Sequence, residues 1–253
     1  MRRPTHRTPI EATPSGMTPP ATEPPTMTTL HPPKRPADLL RLARPGLEAA
    51  DADRVTREVG RVFGEADLLG LLAGPLPAEQ RCVAALALGL LGRGPAAEEA
   101  LAGLLHDEAA AVVAAAEHAL WTLWLRGNGG PGAEAFGRGL GAVGAGDPAA
   151  ARVHLEEAAG RDPGFAEASH QLGLLAAAEG RLGDAAAAFA AAAEAAPLHF
   201  GALAGAGHVA LRLGRPGDAE FFYERALAVH PRLEGVAETL AALREAGAPR
   251  KAG

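Results

Sequence analysis

The chain is poor in the residues that build reactive sites. Its 253 residues include one cysteine, one tyrosine and two tryptophans. A lone cysteine, Cys82, excludes an intramolecular disulfide and any multi-thiolate zinc site; on its apolar helix it reads as a small buried hydrophobe. Serine occurs only at Ser15 and Ser169, neither in the strand–turn–helix setting of a nucleophile elbow. The histidines, at 6, 31, 106, 118, 154, 170, 199, 208 and 230, form no His-x-x-x-His pair and none flanks the cysteine at zinc spacing. No metal or other cofactor is therefore expected. Glycine-rich phosphate loops are also lacking, because the glycines fall between helical patterns rather than between a strand and a helix. The carboxylate pairs Glu98-Glu99 and Glu156-Glu157 are neighbours in sequence, so on a helix they point apart into solvent. These absences predict a protein that is not an enzyme.

Long apolar runs are missing too. No segment approaches the roughly 20 apolar residues of a membrane span, and Met1 to Ala37 lacks the apolar run of about 7–15 residues of a secretory leader. That opening stretch is rich in proline and threonine and has few aliphatics, so it is expected to be disordered. Met17 and Met27 are further candidate starts. Residues 1–45 carry a net charge of +4 and the remainder −10, within the total of −6. An acidic body lacks the clustered positive charge of a nucleic-acid groove, so no nucleic-acid partner and no membrane insertion are expected. One cysteine and no leader point to the cytoplasm, and heavy use of alanine, glycine, arginine and proline points to a GC-rich bacterial genome.

What the chain has in quantity is repetition. Gly146, Gly180 and Gly214 are spaced by 34, as are Ala151, Ala185 and Ala219, then Ala158, Ala192 and Ala226, then Pro163, Pro197 and Pro231. A fixed period of this length with small residues at fixed offsets marks a repeated helix–turn–helix unit. In the middle unit, Ala166 to His199, the first helix turns Leu172, Gly173 and Ala176 inward. Gly180 takes the turn, and Asp184 is the expected N-cap of the second helix. Ala185, Phe189 and Ala192 then share one helical face, and Pro197 ends the unit.

These residues resemble the tetratricopeptide repeat (TPR). The middle unit matches at Leu172-Gly173, Gly180, Ala185, Phe189, Ala192 and Pro197. The third, from Phe200 to Leu233, matches at Gly207, Gly214, Ala219, Tyr223, Ala226 and Pro231. The first, from Gly132 to Phe165, keeps Gly146, Ala151, Ala158 and Pro163, but has Arg138-Gly139 for Leu-Gly and Leu155 for the aromatic. Glu234 to Ala246 reads as a terminal capping helix.

The preceding segment repeats at another spacing. Val83 to Gly89 and Ala115 to Trp121 carry similar Ala-Leu patterns, separated by a short apolar helix over Pro95 to Leu105 and a His106-Asp107-Glu108 turn in which Asp107 can cap the next helix. This resembles the short bacterial type of HEAT-like repeat, although Val112-Val113 stands in place of the usual valine-arginine pair. Glu48 to Phe63 and Ala66 to Leu72 read as one more degenerate pair. Trp121 and Trp124 lie three apart on one helical face. They either fill the joint between the two arrays, with indole amides bonded to a carbonyl or water, or form a stacking platform for a ligand; packing is the favoured reading.

The expected fold is all-α, an α-solenoid of stacked antiparallel helix pairs, HEAT-like and then TPR. Residues 1–37 are a disordered tail, 38–126 the HEAT-like repeats, 127–131 a glycine-rich linker able to act as a hinge, 132–246 three TPR units with their cap, and 247–253 a second disordered tail. In the TPR family the first helix of each unit lines a concave groove. Carried over by position, Phe136, Leu140, Val143, His170, Gln171, Leu174, Ala178, His208, Leu211 and Arg212 line it here. Such a surface implies a non-catalytic scaffold that binds a protein or peptide, with apolar anchors for affinity and Arg212 for a carboxylate. The alternatives are a structural subunit of a larger assembly and a lyase-like HEAT protein that attaches bilin chromophores; the alanine and leucine of the inner helices do not suit a tetrapyrrole cavity.

Overall fold

A computed structural model describes residues 34–127 and 129–247, and among them every regular element is an α-helix. The tails expected to be disordered lie, for 1–33 and 248–253, outside the described residues. Helix α1 (Pro36–Glu48) places Pro36 in its first turn, where a missing amide costs nothing. The single helix expected from Glu48 to Phe63 is broken. Ala50 adopts a left-handed φ of 51°, and Asp51 then caps α2 (Ala52–Gly60) by accepting a bond from the Arg54 amide. Helices α3 (Glu65–Leu72), α4 (Ala78–Leu91), α5 (Pro95–Leu104) and α6 (Ala110–Arg126) follow. α4 packs most extensively on α6, and α3 on both α4 and α5, so alternate helices stack in layers. Asp107 accepts from the Ala109 amide at 2.9 Å ahead of α6 and is held by Arg81 at 2.7 Å.

The second half is a run of antiparallel pairs: α7 (Ala133–Gly144) with α8 (Pro148–Arg161), α9 (Ala166–Ala178) with α10 (Leu182–Ala195), and α11 (Phe200–Arg212) with α12 (Pro216–Val229). Helix α13 (Val236–Gly247) covers the last pair. Gly146, Gly180 and Gly214 sit in the three turns with φ of 72°, 77° and 71°, a conformation only glycine enters without steric cost. The second helix of the middle pair starts earlier than expected: Arg181 is the N-cap, and Asp184 lies in the first turn, paired to Arg181 at 2.5 Å.

One contact recurs with the period. Gly139, Gly173 and Gly207 face Leu155, Phe189 and Tyr223, each pair 34 residues on from the last. A methyl at any of these glycines would lie within 2.5–2.8 Å of the facing side chain. Absence of a side chain on the first helix thus makes room for a large one on the second. Tyr223 is fully buried, and its hydroxyl has no hydrogen-bond partner among the described residues. Removing an unsatisfied buried hydroxyl is favourable, so Tyr223→Phe is expected to raise stability by about 1 kcal/mol in urea unfolding; a loss of stability would show that the hydroxyl is solvated or bonded.

The two halves share one core. Leu120, Leu123 and Trp124 of α6 pack with Phe200 and Leu203 of α11 and with Ala226 and Val229 of α12. Gly127 rests against the ring of Phe165, and Arg232 donates to the Asp107 carbonyl at 3.0 Å. The two halves on either side of the glycine-rich stretch expected as a hinge therefore bury against each other through α6, α11 and α12.

Candidate functional site

The residues carried over to the groove divide into three groups. Phe136 and His170 are corrections. Phe136 is 3% exposed, packed on Phe165 with ring centroids 4.6 Å apart inside the core of the first pair. His170 is 4% exposed, buried beneath Trp121 at the joint between the halves. Leu140, Gln171 and Leu211 are half-buried. Leu174 (45% exposed), Ala178, His208 and Arg212 face solvent, as does Val143 on α7. Leu174 and His208 occupy equivalent positions on α9 and α11, as do Ala178 and Arg212, so these four form two adjacent rows. Arg212 also donates to the Ala177 carbonyl at 2.8 Å, tying α11 to the C-terminal end of α9. His208 bonds the Ala204 carbonyl at 2.6 Å.

A second candidate site lies at the joint, centred on Glu167. This carboxylate is 1% exposed at the start of α9. One oxygen accepts from Gln171 Nε2 at 2.6 Å and pairs with His170 Nδ1 at 3.2 Å; the other pairs with His199 Nε2 at 2.9 Å. His199 is the N-cap of α11, its Nδ1 accepting from the Ala202 amide at 3.1 Å. An amide can only donate, so the ring proton of His199 sits on Nε2 and is given to Glu167. Burial pushes the Glu167 carboxyl up, but the bonds from His170 and His199 outweigh it and hold the group at about 2. Burial moves His199 the other way, below the usual histidine range, against the pull of Glu167.

The tryptophans enclose this cluster. Trp124 stacks on His199 at 4.0 Å with rings 11° apart, and its indole N–H donates to Glu98 at 3.0 Å. The expected partner was a carbonyl or water; the observed one is a carboxyl that burial pushes upward, against the bond from Trp124. Trp121 meets Trp124, His199 and Phe200 edge-on. A cleft of about 200 Å³ opens beside the cluster, lined by Glu98, Trp124, Asp162, Phe165 and Glu167.

Sequence reasoning missed Glu167 and His199 as site residues, yet a signal existed. At the equivalent positions of the flanking units stand Ala133 and Gly201 for Glu167, and Phe165 and Leu233 for His199; for His170 they are Phe136 and Ala204. Three ionisable residues therefore replace residues without ionisable side chains, and the fold brings all three to one point.

No protein-family model matches the chain, and no curated protein does. Similar solved structures include the TPR protein YrrB, described as having an unusual peptide-binding site, at 20% identity over 80% of this chain and 87% of that one, with a TM-score of 0.38. The TPR2AB domain of yeast Sti1 in complex with pHSP90 is 14% identical over 83% of this chain and 97% of that one, with a TM-score of 0.41. A thermophilic TPR protein of Thermus thermophilus, TTC0263, is 19% identical over 83% of this chain and 98% of that one, with a TM-score of 0.36. At these scores the likenesses carry no weight beyond the shared type of helix-pair fold, which rests on the packing described above.

Proposed function

We propose that 132–246 is an array of three TPR units with a capping helix, that 38–126 is a HEAT-like array, and that the protein is a non-catalytic cytoplasmic scaffold. Its partner is a protein or peptide segment seated on the exposed faces of α9 and α11. The observation that carries this reading is the pairing of rows: Leu174 and Ala178 offer apolar surface, and His208 and Arg212 stand beside them with polar groups. An exposed leucine next to a guanidinium suits a segment with an apolar anchor and a nearby carboxylate. The acidic body disfavours nucleic acid as that partner. Among the described residues no helix is long and apolar enough to cross a membrane.

The test is affinity capture from lysate with the wild-type protein and the double variant Leu174→Glu/Arg212→Glu, both matched for helicity by circular dichroism. A partner retained by wild type and reduced at least about tenfold by the variant is expected, since each substitution removes one anchor. Equal retention by both would move binding off this face.

A further inference from the structure

We propose that Glu167, His170 and His199 form a binding site for one divalent transition-metal ion of the zinc class. Two imidazoles and a carboxylate are a donor set that such ions favour over magnesium or calcium. Their ligand atoms all lie within 4.8 Å of one another, and all three residues are buried. With metal–ligand bonds of about 2.0–2.1 Å, tetrahedral ligand atoms stand roughly 3.4 Å apart. Oε1 of Glu167 lies 3.2 Å from His170 Nδ1 and Oε2 2.9 Å from His199 Nε2, so each imidazole is near that length from a different oxygen of the one carboxylate. Glu167 and His170 are one turn apart on α9, and His199 heads α11, so rigid elements supply every ligand.

The surroundings meet the other requirements. Gln171 holds a Glu167 oxygen, and stacking on Trp124 fixes the plane of the His199 ring. A cleft lined in part by Glu167 lies beside the cluster but does not include either imidazole, so entry of the ion requires a small opening of the joint. Glu167 has no lysine or arginine partner among the described residues, so its buried charge is balanced only through imidazoles. Binding has a definite proton cost. The Nε2 proton of His199 must leave, and keeping the ring neutral moves a proton to Nδ1, which ends the cap on the Ala202 amide; the Nδ1 proton that His170 gives to Glu167 must likewise move to its Nε2. Loss of one cap lowers affinity by about tenfold, a small factor beside the affinities of sites with this donor set.

The full chain, freed of metal by chelator and dialysed, is titrated with Zn²⁺ by calorimetry and with Co²⁺ by visible absorption and tryptophan emission. One equivalent should bind with a dissociation constant of micromolar order or tighter. Co²⁺ should quench the emission of both tryptophans, because Trp124 lies 4.0 Å from the His199 ring and Trp121 5.7 Å from that of His170. His170→Gln keeps a group able to donate to Glu167 and should weaken binding by at least about 100-fold, while His208→Ala and Cys82→Ser should not change it. No saturable binding to wild type, binding unaltered in His170→Gln, or Co²⁺ bound without quenching would each overturn the proposal. If His170→Gln does not fold, the wild-type Zn²⁺ titration and the Co²⁺ quenching in wild type decide it.

Discussion

Phe189→Ala is expected to cost about 4 kcal/mol of unfolding free energy, in the middle of the range for loss of a core aromatic. The reason lies in what the ring touches. Phe189 is 1% exposed, and it sits between two backbones: a methyl on Gly173 of α9 would lie 2.7 Å from it, and one on Gly205 of α11 2.6 Å. One ring therefore spaces two successive helix pairs. Truncation leaves a void bounded by helical backbone, which closes only if one pair slides on the next. Leu155, the equivalent residue of the first pair, meets a glycine on one side only, Gly139. Leu155→Ala should accordingly lose less, about 3 kcal/mol. Urea unfolding of both variants checks the order, and equal losses would show that Phe189 has no spacing role between pairs. Gly205→Ala in a Phe189→Leu background should be milder than in wild type, because the clash is with the ring and the two changes are coupled.

The periodic part of the fold was readable because its causes are local. A turn that needs positive φ shows as Gly146, Gly180 and Gly214. A close helix approach shows as small residues opposite Leu155, Phe189 and Tyr223. Helix ends near Asp107 and Pro197 follow from capping and from the missing proline amide. Elements fixed by tertiary packing were harder to see. Helix α1 carries Pro45 in its interior and so looks like a poor helix, yet Leu39, Ala43 and Gly46 bury against neighbours and hold it. The break at Ala50 has no glycine to announce it.

That Leu174, Ala178, His208 and Arg212 lie at matching exposed positions of α9 and α11 followed from repeat register alone. Register could not show that α6 crosses the ends of α9 and α11 and buries His170, since that depends on how one array lies on the other. Nor could spacing rules find the Glu167 cluster, whose members come from two turns 32 residues apart. The usable clue was departure from the repeat. In a periodic chain, an ionisable residue where the other units carry none has a cost in burial that the repeat itself does not require.

That cost gives the second large effect. With metal excluded by chelator, Glu167→Ala is expected to lose about 3–5 kcal/mol, the range for removing one partner of a buried charged pair. Three donors would be stranded together: His170 Nδ1, the Nε2 proton of His199 and the Gln171 amide. Neither imidazole reaches solvent readily, since Trp121 and Trp124 cover them. Glu167→Gln should recover only part of the loss, because its amide nitrogen presents a further donor to one of the stranded ones. The effect should also be visible in cooperativity. His199 caps α11 and carries the Trp124 stack, so the cluster couples the array containing α6 to the one containing α9 and α11. In wild type, tryptophan emission, which reports the joint, should change at the same urea concentration as far-UV circular dichroism, which reports all the helices. In Glu167→Ala the emission change should come first, with the arrays losing contact before their helices unfold. Coincident transitions in the variant, or a loss below about 1 kcal/mol, would mean that the apolar part of the joint holds the arrays together by itself. The exposed faces of α9 and α11 would then keep their geometry whatever the state of the polar cluster.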